Sequence, residues 1–335
     1  MRQPPPDPPQ ALVLRDDTWP PNIAPATRLA DLRYATEADL ADALPGAEIL
    51  FLWDFRSAAL ARAWASVDTL RWVHIASAGV DKLLFPELIT SDVVVTNSRG
   101  VFEEPIAEYV LGLVLCFAKD LHTTISLQRQ RQWRHRETER LTGAGALVVG
   151  TGPIGAAIGR RLTGAGLRVS GIGRTSRSGD PDLGDIRSFE RLPEALAEAD
   201  YVVLAAPLTD VTREMINATT LAAMKPSARL VNVGRGQLVN QPDLIAALSA
   251  NRIAGAALDV FTDEPLEPSS PLWELPNVLI SPHMSGDVIG WRQELVDLFV
   301  DNLTRYRQGD PLRNIVDKRL GYVPSGPLAE SKGAP

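Results

Sequence analysis

Residues 145–155 read Gly-Ala-Leu-Val-Val-Gly-Thr-Gly-Pro-Ile-Gly, and an Ala- and Arg-rich helical pattern continues to 164. An unbroken apolar run that meets glycines and then turns helical is a strand passing tightly into a helix. Gly150 permits the turn, Gly152 lets a pyrophosphate approach the backbone, and Gly155 lets helix and strand pack closely. Pro153 suits the first helical turn. The free N–H groups there, those of Ile154 and Gly155, attract anions. The pattern takes its meaning from the strand before it and the helix after it, and it predicts a dinucleotide site.

The same alternation extends in both directions. Apolar runs at 11–15, 48–53, 71–75 and 93–96 precede the glycine loop, and runs at 167–172, 200–205, 229–233, 254–258 and 277–281 follow it. They are apolar throughout, as strands covered on both faces are. Helical patterns lie between them at 57–66, 153–164, 190–198 and 241–249. Repeated strand–helix–strand order predicts an α/β fold of two Rossmann-like domains with parallel sheets. Two longer helices interrupt the series. One, at 103–120, aligns Ile106, Tyr109, Val110, Leu113, Val114 and Phe117; the other, near 286–307, aligns Trp291, Leu295, Leu298, Phe299 and Tyr306.

Composition agrees with two domains. The chain has 335 residues, 45% hydrophobic and 22% charged, which is ample for two cores and too apolar for disorder. A net charge of −7 offers no basic field to nucleic acid. Cys116 is the one cysteine, which favours a reducing, cytoplasmic setting. The first ten residues, MRQPPPDPPQ, are too proline-rich for a secretory signal, and the longest apolar stretch, Tyr109–Ala118, is too short to span a membrane. Residues 1–10 and 321–335 read as flexible tails.

About twenty residues past the glycine loop, a dinucleotide-binding fold commonly carries an acid that accepts the ribose hydroxyls. Here the second strand ends in Gly173, Arg174, Thr175, Ser176 and Arg177, with no carboxylate. Arg174, Ser176 and Arg177 are suited to a 2′-phosphate, so NADP(H) is expected in preference to NAD(H), with NAD(H) possible. Solvated loop charges are the alternative reading of the arginines.

Of the histidines, His74, His122, His135 and His283, the last alone follows a late apolar strand, in Ser281-Pro-His283. Strand ends of this kind hold the sites of open α/β sheets. The strand at 229–233 ends in Val233-Gly-Arg235-Gly, a guanidinium between glycines that can grip a carboxylate. The strand at 254–258 leads to Asp259 and then Glu264, and a carboxylate there can orient an imidazole. Structural ion pairing is the alternative for Glu264. After the strand at 71–75, Ala76-Ser-Ala78-Gly79-Val-Asp is a turn of small residues whose consecutive N–H groups suit a carboxylate, or else a plain turn.

With these residues in view, the sequence from about 48 to 316 resembles the D-isomer-specific 2-hydroxyacid dehydrogenases. The resemblance rests on the glycine loop, Pro207-Leu-Thr209, VGRG at 233–236, ALDVFxxEP at 257–265 and SPH at 281–283. It leans toward the glyoxylate/hydroxypyruvate reductase-like branch, and the Glu at 264, where formate dehydrogenases have Gln, counts against that other branch. The resemblance implies that Arg235 binds the substrate carboxylate and carbonyl, that Glu264 pairs with His283, and that His283 is the general acid and base. It further implies coenzyme contacts at Pro207, Thr212, Val233 and Asp259, the last with the nicotinamide carboxamide. Ala78 and Gly79 are implied for the substrate carboxylate. Trp53 is implied for the side-chain pocket, although it reads equally well as a core tryptophan.

The resemblance also implies a coenzyme domain, 99–288, inserted into a substrate domain formed by 1–98 and 289–335. The substrate lobe looks shortened before residue 48, so fewer or irregular strands are expected there. A homodimer is implied, with Arg129–Arg140 at its contact and Trp133 reaching toward the partner. The substrate is expected to be a small 2-keto or 2-hydroxy acid. The alternative from another class is a nucleotide-sensing binding protein, like the C-terminal binding protein corepressors, which share the fold and keep the same set of residues.

Overall fold

Apolar runs with no polar alternation are satisfied only inside a sheet covered on both faces. The computed structural model, which describes residues 7–324, contains two such sheets. By contact the chain divides into a first unit, 1–102 with 289–335, and a second, 103–288.

In the first unit β1 (Gln10–Leu14), β2 (Asp31–Ala35), β3 (Ile49–Leu52), β4 (Trp72–Ile75) and β5 (Val94–Thr96) pair in the order β2-β1-β3-β4-β5. Every pair is parallel. One face buries Leu12, Leu14, Leu50, Leu52, Val73, Ile75 and Val95 against Leu40, Leu60 and Leu88. The other turns Phe51, Trp72 and His74 toward helix Trp291–Gln308. Phe51 stacks on Phe299 at 4.1 Å, and Trp72 lies 5.6 Å from both Phe299 and Tyr306.

The lobe before residue 48 thus contributes β1 and β2, and the sheet is complete and regular, contrary to the expected shortening. β2 was absent from the predicted strands because its residues, Asp-Leu-Arg-Tyr-Ala, show the charged, half-exposed pattern of an edge. The predicted helix 57–66 is Ala59–Ala63 followed by a 3₁₀ turn, Trp64–Ser66. The last long helix starts at Trp291, after Gly290 in a left-handed conformation. Most of the expected tails lie outside the described residues. The described parts are tied down: Gln10 opens β1, Arg99 donates to the carbonyl of Val323, and Val323 packs against the core.

In the second unit β6 (Gly145–Val149), β7 (Arg168–Gly173), β8 (Arg177–Asp180), β9 (Gly184–Ser188), β10 (Tyr201–Leu204), β11 (Arg229–Asn232), β12 (Gly255–Leu258) and β13 (Val278–Ile280) form one sheet. The order is β13-β12-β11-β10-β6-β7-β9-β8. All pairs are parallel except β8 with β9. That antiparallel hairpin departs from the predicted all-parallel sheet. Its strands carry Arg-Ser-Gly-Asp and Gly-Asp-Ile-Arg-Ser, which have no apolar run to read. Leu147, Val149, Val202, Leu204, Leu230 and Leu258 form the core. Helix Glu103–Ala118 packs on helix Pro153–Gly164, where Glu104 bridges Arg160 and Arg161.

The register aligns the strand ends. Val149, Leu204, Asn232, Leu258 and Ile280 form one row, so Gly150, Ala205, Val233, Asp259 and Ser281 all leave the sheet at the same edge. Chain order reverses between β10 and β6, which is where ligands bind in such sheets.

His74 gives the first unit an acid-labile point. It is fully buried, and burial pushes its pKa down to about 3 from 6.5. Trp72 Nε1 donates to Thr96 Oγ1, and that hydroxyl lies 2.8 Å from His74 Nδ1. The folded state therefore resists protonation while the unfolded chain accepts it below pH 6.5. The resulting stability is complete above that pH and is lost as pH falls toward 3. From pH 6.5 to 5 the loss should be about 2 kcal/mol. Denaturant titrations should show a steeper acid decline for the unmutated protein than for His74→Gln, and equal slopes would refute the assignment.

Candidate active site

The glycine loop sits at the reversal point. Gly150 has φ +109, and a methyl group there would lie 2.6 Å from the backbone of Ala205 and Ala206. A methyl group at Gly155 would lie 1.9 Å from the Gly150 carbonyl oxygen. Gly152 differs: nothing stands within 4 Å of where its side chain would be. It is also the N-cap of helix Pro153–Gly164 and caps no N–H with a side chain. Open space at a helix N-terminus whose first amides have no protein acceptor among the described residues is what a pyrophosphate requires, so these residues fit a dinucleotide.

Along the same edge, Arg235 follows β11. Asn232 holds its loop, donating Nδ2 to the Arg235 carbonyl and accepting from the Gly234 amide. Arg235 Nη1 donates to the Gly234 carbonyl at 2.8 Å. A methyl group at Gly236 would lie 1.9 Å from the Phe261 carbonyl carbon, so the loops after β11 and β12 meet backbone to backbone. The β12 loop then places Glu264, whose Oε1 accepts from the Phe261 amide at 3.0 Å.

Glu264 Oε2 lies 2.8 Å from His283 Nδ1, and the two side chains are 33% and 42% exposed. An ionised carboxylate only accepts, so Nδ1 carries the proton and Nε2 remains for chemistry. His283 itself has φ +54, an unusual conformation for a residue with a side chain. The cause is next to it. Asp259, fully buried, takes Ser281 Oγ at 2.7 Å and the Met284 amide at 2.9 Å on Oδ1, and the Ser285 amide at 2.9 Å on Oδ2. Asp259 thus clamps the loop on both sides of His283. Sequence reading found the residue but not this role, since nothing in the local pattern shows that three donors converge on it.

The coenzyme-side residues are placed unevenly. Pro207 is exposed beyond β10 and Val233 is buried after β11. Thr212 is buried, and its hydroxyl accepts from the Thr209 amide and donates to the Pro207 carbonyl, so it braces the turn. Arg174 follows β7 directly. Ser176 Oγ accepts from the Ser188 amide, and Arg177 binds Asp180 at 2.9 Å. Burial pushes the Asp180 carboxyl up, but the Arg177 pair together with the Asp182 and Leu183 amides outweighs it and holds the carboxyl below its usual range.

In the first unit Ala78 and Gly79 lie on the turn after β4. Asn97 donates to the Ala78 carbonyl and Ser77 to the Gly79 carbonyl, while no protein acceptor among the described residues takes either amide. Trp53 directly follows β3 with 4% of its surface exposed and donates Nε1 to Thr18 Oγ1.

Comparison with known proteins identifies the family. Residues 111–285 match the family model for the D-isomer specific 2-hydroxyacid dehydrogenase NAD binding domain. The chain belongs to the D-isomer specific 2-hydroxyacid dehydrogenase family. It is 34% identical over 263 residues to a glyoxylate reductase of Thermococcus gammatolerans, covering 76% of this chain and 78% of that one. A family protein of Aeromonas salmonicida superposes with a TM-score of 0.79 at 31% identity, over 93% of this chain and all of the other. A Xanthobacter autotrophicus member solved with NADPH and MES gives 0.78 at 31% identity, over 93% and 99%. The chain is thus an NAD(P)-dependent 2-hydroxyacid dehydrogenase by family.

The Asp259 clamp makes a sharp prediction. In Asp259→Asn an amide NH2 must face at least one of the three donors. Such a mismatch costs about 1–3 kcal/mol. A fall of a few degrees in melting temperature is expected, with kcat reduced at least tenfold. An Asn variant with unchanged kcat would show that His283 holds its place without the clamp.

Proposed function

We propose that this dehydrogenase is an NADP(H)-preferring reductase of small 2-keto acids, working as a two-fold dimer in the cytoplasm. The observation that carries the reading is the 2.8 Å Glu264–His283 pair on the same sheet edge as the Arg235 loop and the open Gly152 cap. When bound, the nicotinamide supplies a hydride to the keto carbon. His283 Nε2 delivers the proton to the keto oxygen, and Glu264 stabilises the charged imidazole before that transfer. Arg235 binds the substrate carboxylate and the oxygen on which charge develops. The Ala78 and Gly79 amides are assigned to the carboxylate and Trp53 to the wall of the side-chain pocket. Asp259 keeps the imidazole in place and has an acceptor position left for the carboxamide. The reverse direction uses the same groups, with His283 as the base.

Arg174 and Ser176 are assigned to the 2′-phosphate. Arg177 contributes only by exchanging Asp180 for the phosphate. The NADPH complex of the Xanthobacter relative supports this coenzyme, and the name of the Thermococcus relative supports glyoxylate as the first substrate to try. Side-by-side kcat/KM values for NADPH and NADH over a keto-acid panel test the whole reading. NADPH should lead by roughly 10–100-fold, the worth of one charge-assisted hydrogen bond. Equal values would end the NADP(H) assignment. Coenzyme binding with no turnover on any acid would make the chain a nucleotide sensor.

His283→Ala should lower kcat by about 10²–10⁴ while leaving the coenzyme Kd within a few-fold. Near-normal turnover would move the acid elsewhere.

Dimerisation has its own support. Trp133 is 102% exposed in an almost wholly exposed segment, and Leu121 and Ile125 are exposed on the helix before it. Apolar surface of this kind is usually covered by a partner. Light scattering should return twice the chain mass, and a monomer across the micromolar range would contradict the assignment.

A further inference from the structure

The turn after β4 is held from behind, one peptide plane at a time. Ser98, just past the end of β5, donates its amide to the Ser77 carbonyl at 2.9 Å. Its neighbour Asn97 donates Nδ2 to the Ala78 carbonyl at 2.6 Å. The hydroxyl of Ser77 reaches the Gly79 carbonyl at 2.6 Å. A trans peptide is planar, so fixing its carbonyl sends the N–H of the next residue the opposite way. The Ser98 bond therefore aims the Ala78 amide, and the Asn97 bond aims the Gly79 amide. In an extended strand successive amides point to opposite sides. Here both carbonyls turn to the 97–98 segment, so both amides face away from it.

Asn97 is itself fixed. It is 3% exposed, and its Oδ1 accepts from the Arg99 amide at 3.3 Å while Nδ2 serves Ala78. Asn314 holds its main chain from another side. The Asn97 amide donates to the Asn314 carbonyl, and Asn314 Nδ2 donates to the carbonyls of Asn97 and Arg99. Ser98 is fully buried, and its Oγ donates to the Ile75 carbonyl at 2.9 Å. Ser77, Ala78 and Gly79, by contrast, are half-buried. A braced frame thus stands behind two accessible amides. Both polar atoms of the Asn97 side chain are used by the frame, so they serve the turn and not a ligand.

We propose that Asn97 is a positioning residue for substrate binding: by pinning the Ala78 carbonyl it points the Gly79 amide, alongside that of Ala78, at the substrate carboxylate. The proposal rests on the assignment of those two amides to the carboxylate. Donors aimed in advance need no reordering when the anion arrives. Without the pin, the plane between Ala78 and Gly79 is free to rotate, and its carbonyl can turn toward the anion and repel it. Ground state and transition state both lose the contact, so KM rises while kcat holds.

The test compares three full-length proteins: the unmutated chain, Asn97→Leu and Asn302→Ala. Leucine keeps the shape of Asn97 and removes its side-chain hydrogen bonds. Asn302 is a matched control, a fully buried asparagine of the same unit whose side chain bridges the Arg313 amide and carbonyl. The readouts are KM and kcat for the best keto acid of the panel, Kd for NADPH, and melting temperature. A further readout is the Kd of the NADPH-loaded protein for oxalate, a carboxylate that cannot react, followed by nicotinamide fluorescence. Asn97→Leu should raise KM and the oxalate Kd roughly tenfold, the worth of one charge-assisted hydrogen bond, with kcat and NADPH Kd within about threefold. Asn302→Ala should melt lower and leave KM and the oxalate Kd unchanged. The proposal is overturned if Asn97→Leu leaves both unchanged, if it lowers kcat without raising KM, or if Asn302→Ala raises them equally. Should Asn97→Leu fail to fold, Asn97→Ser, too short to reach the Ala78 carbonyl, carries the same comparison. An unmutated chain that binds oxalate but reduces no keto acid would remove the reductase reading, and the oxalate Kd alone would then decide the role of Asn97. A chain that neither binds oxalate nor reduces a keto acid would overturn both.

Discussion

Backbone meets backbone at the carboxyl edge of the larger sheet, and the glycine loop, Arg235, Glu264 and His283 depend on that closeness. The methyl-group distances at Gly150, Gly155 and Gly236, between 1.9 and 2.6 Å, are too short for any side chain to be absorbed by local adjustment. Gly155 seats the helix on the end of β6 and thereby aims its amides. Gly236 lets the β11 loop lie against the β12 loop, so Arg235 and Glu264 leave from backbones in direct contact. A glycine is required at each point by the approach of main chain, in addition to the positive φ at Gly150. The parallel register sets this up, because it ends five neighbouring strands in one row and forces their loops into the same space.

Within that edge two carboxylates are separated in role by their surroundings. Glu264 is partly exposed and divides its oxygens between one backbone amide and the His283 ring. It is held, but the proton it faces belongs to a group that reacts. Asp259 is buried and receives a hydroxyl and two amides, so most of its hydrogen-bonding capacity holds the loop. A buried carboxylate with several donors is costly to disturb, and here it lies under a histidine in a disfavoured backbone conformation. The division is a familiar physical solution: one group absorbs the strain of placing the imidazole, and another meets the change of charge during proton transfer.

The sequence made the central strands legible because burial on both faces leaves an apolar run. The same logic hides the edges. β2, β8 and β9 have a wet side and charged residues, and they exist because of pairing and turn geometry that no apolar run reports. At the site, Gly150, Gly152, Gly155, Arg235, Glu264 and His283 were readable because each stands just past a strand end in a distinctive local pattern. Thr212 and Arg177 were readable as polar residues in the right loops, but their partners were not. The hydroxyl of Thr212 is consumed by its own turn, and Arg177 is held by an aspartate three residues on.

These partnerships bear on how selectivity for a 2′-phosphate is built. Three polar residues near Gly173 suggest a strong electrostatic site, but the Arg177 charge is already balanced and Ser176 is tied to β9. For Arg177 to help, it must give up Asp180, and the gain from the phosphate is offset by the lost pair, which leaves the Asp180 carboxylate to the Asp182 and Leu183 amides alone. Much of the attraction then falls to Arg174, and an exposed charge of that kind weakens as salt rises.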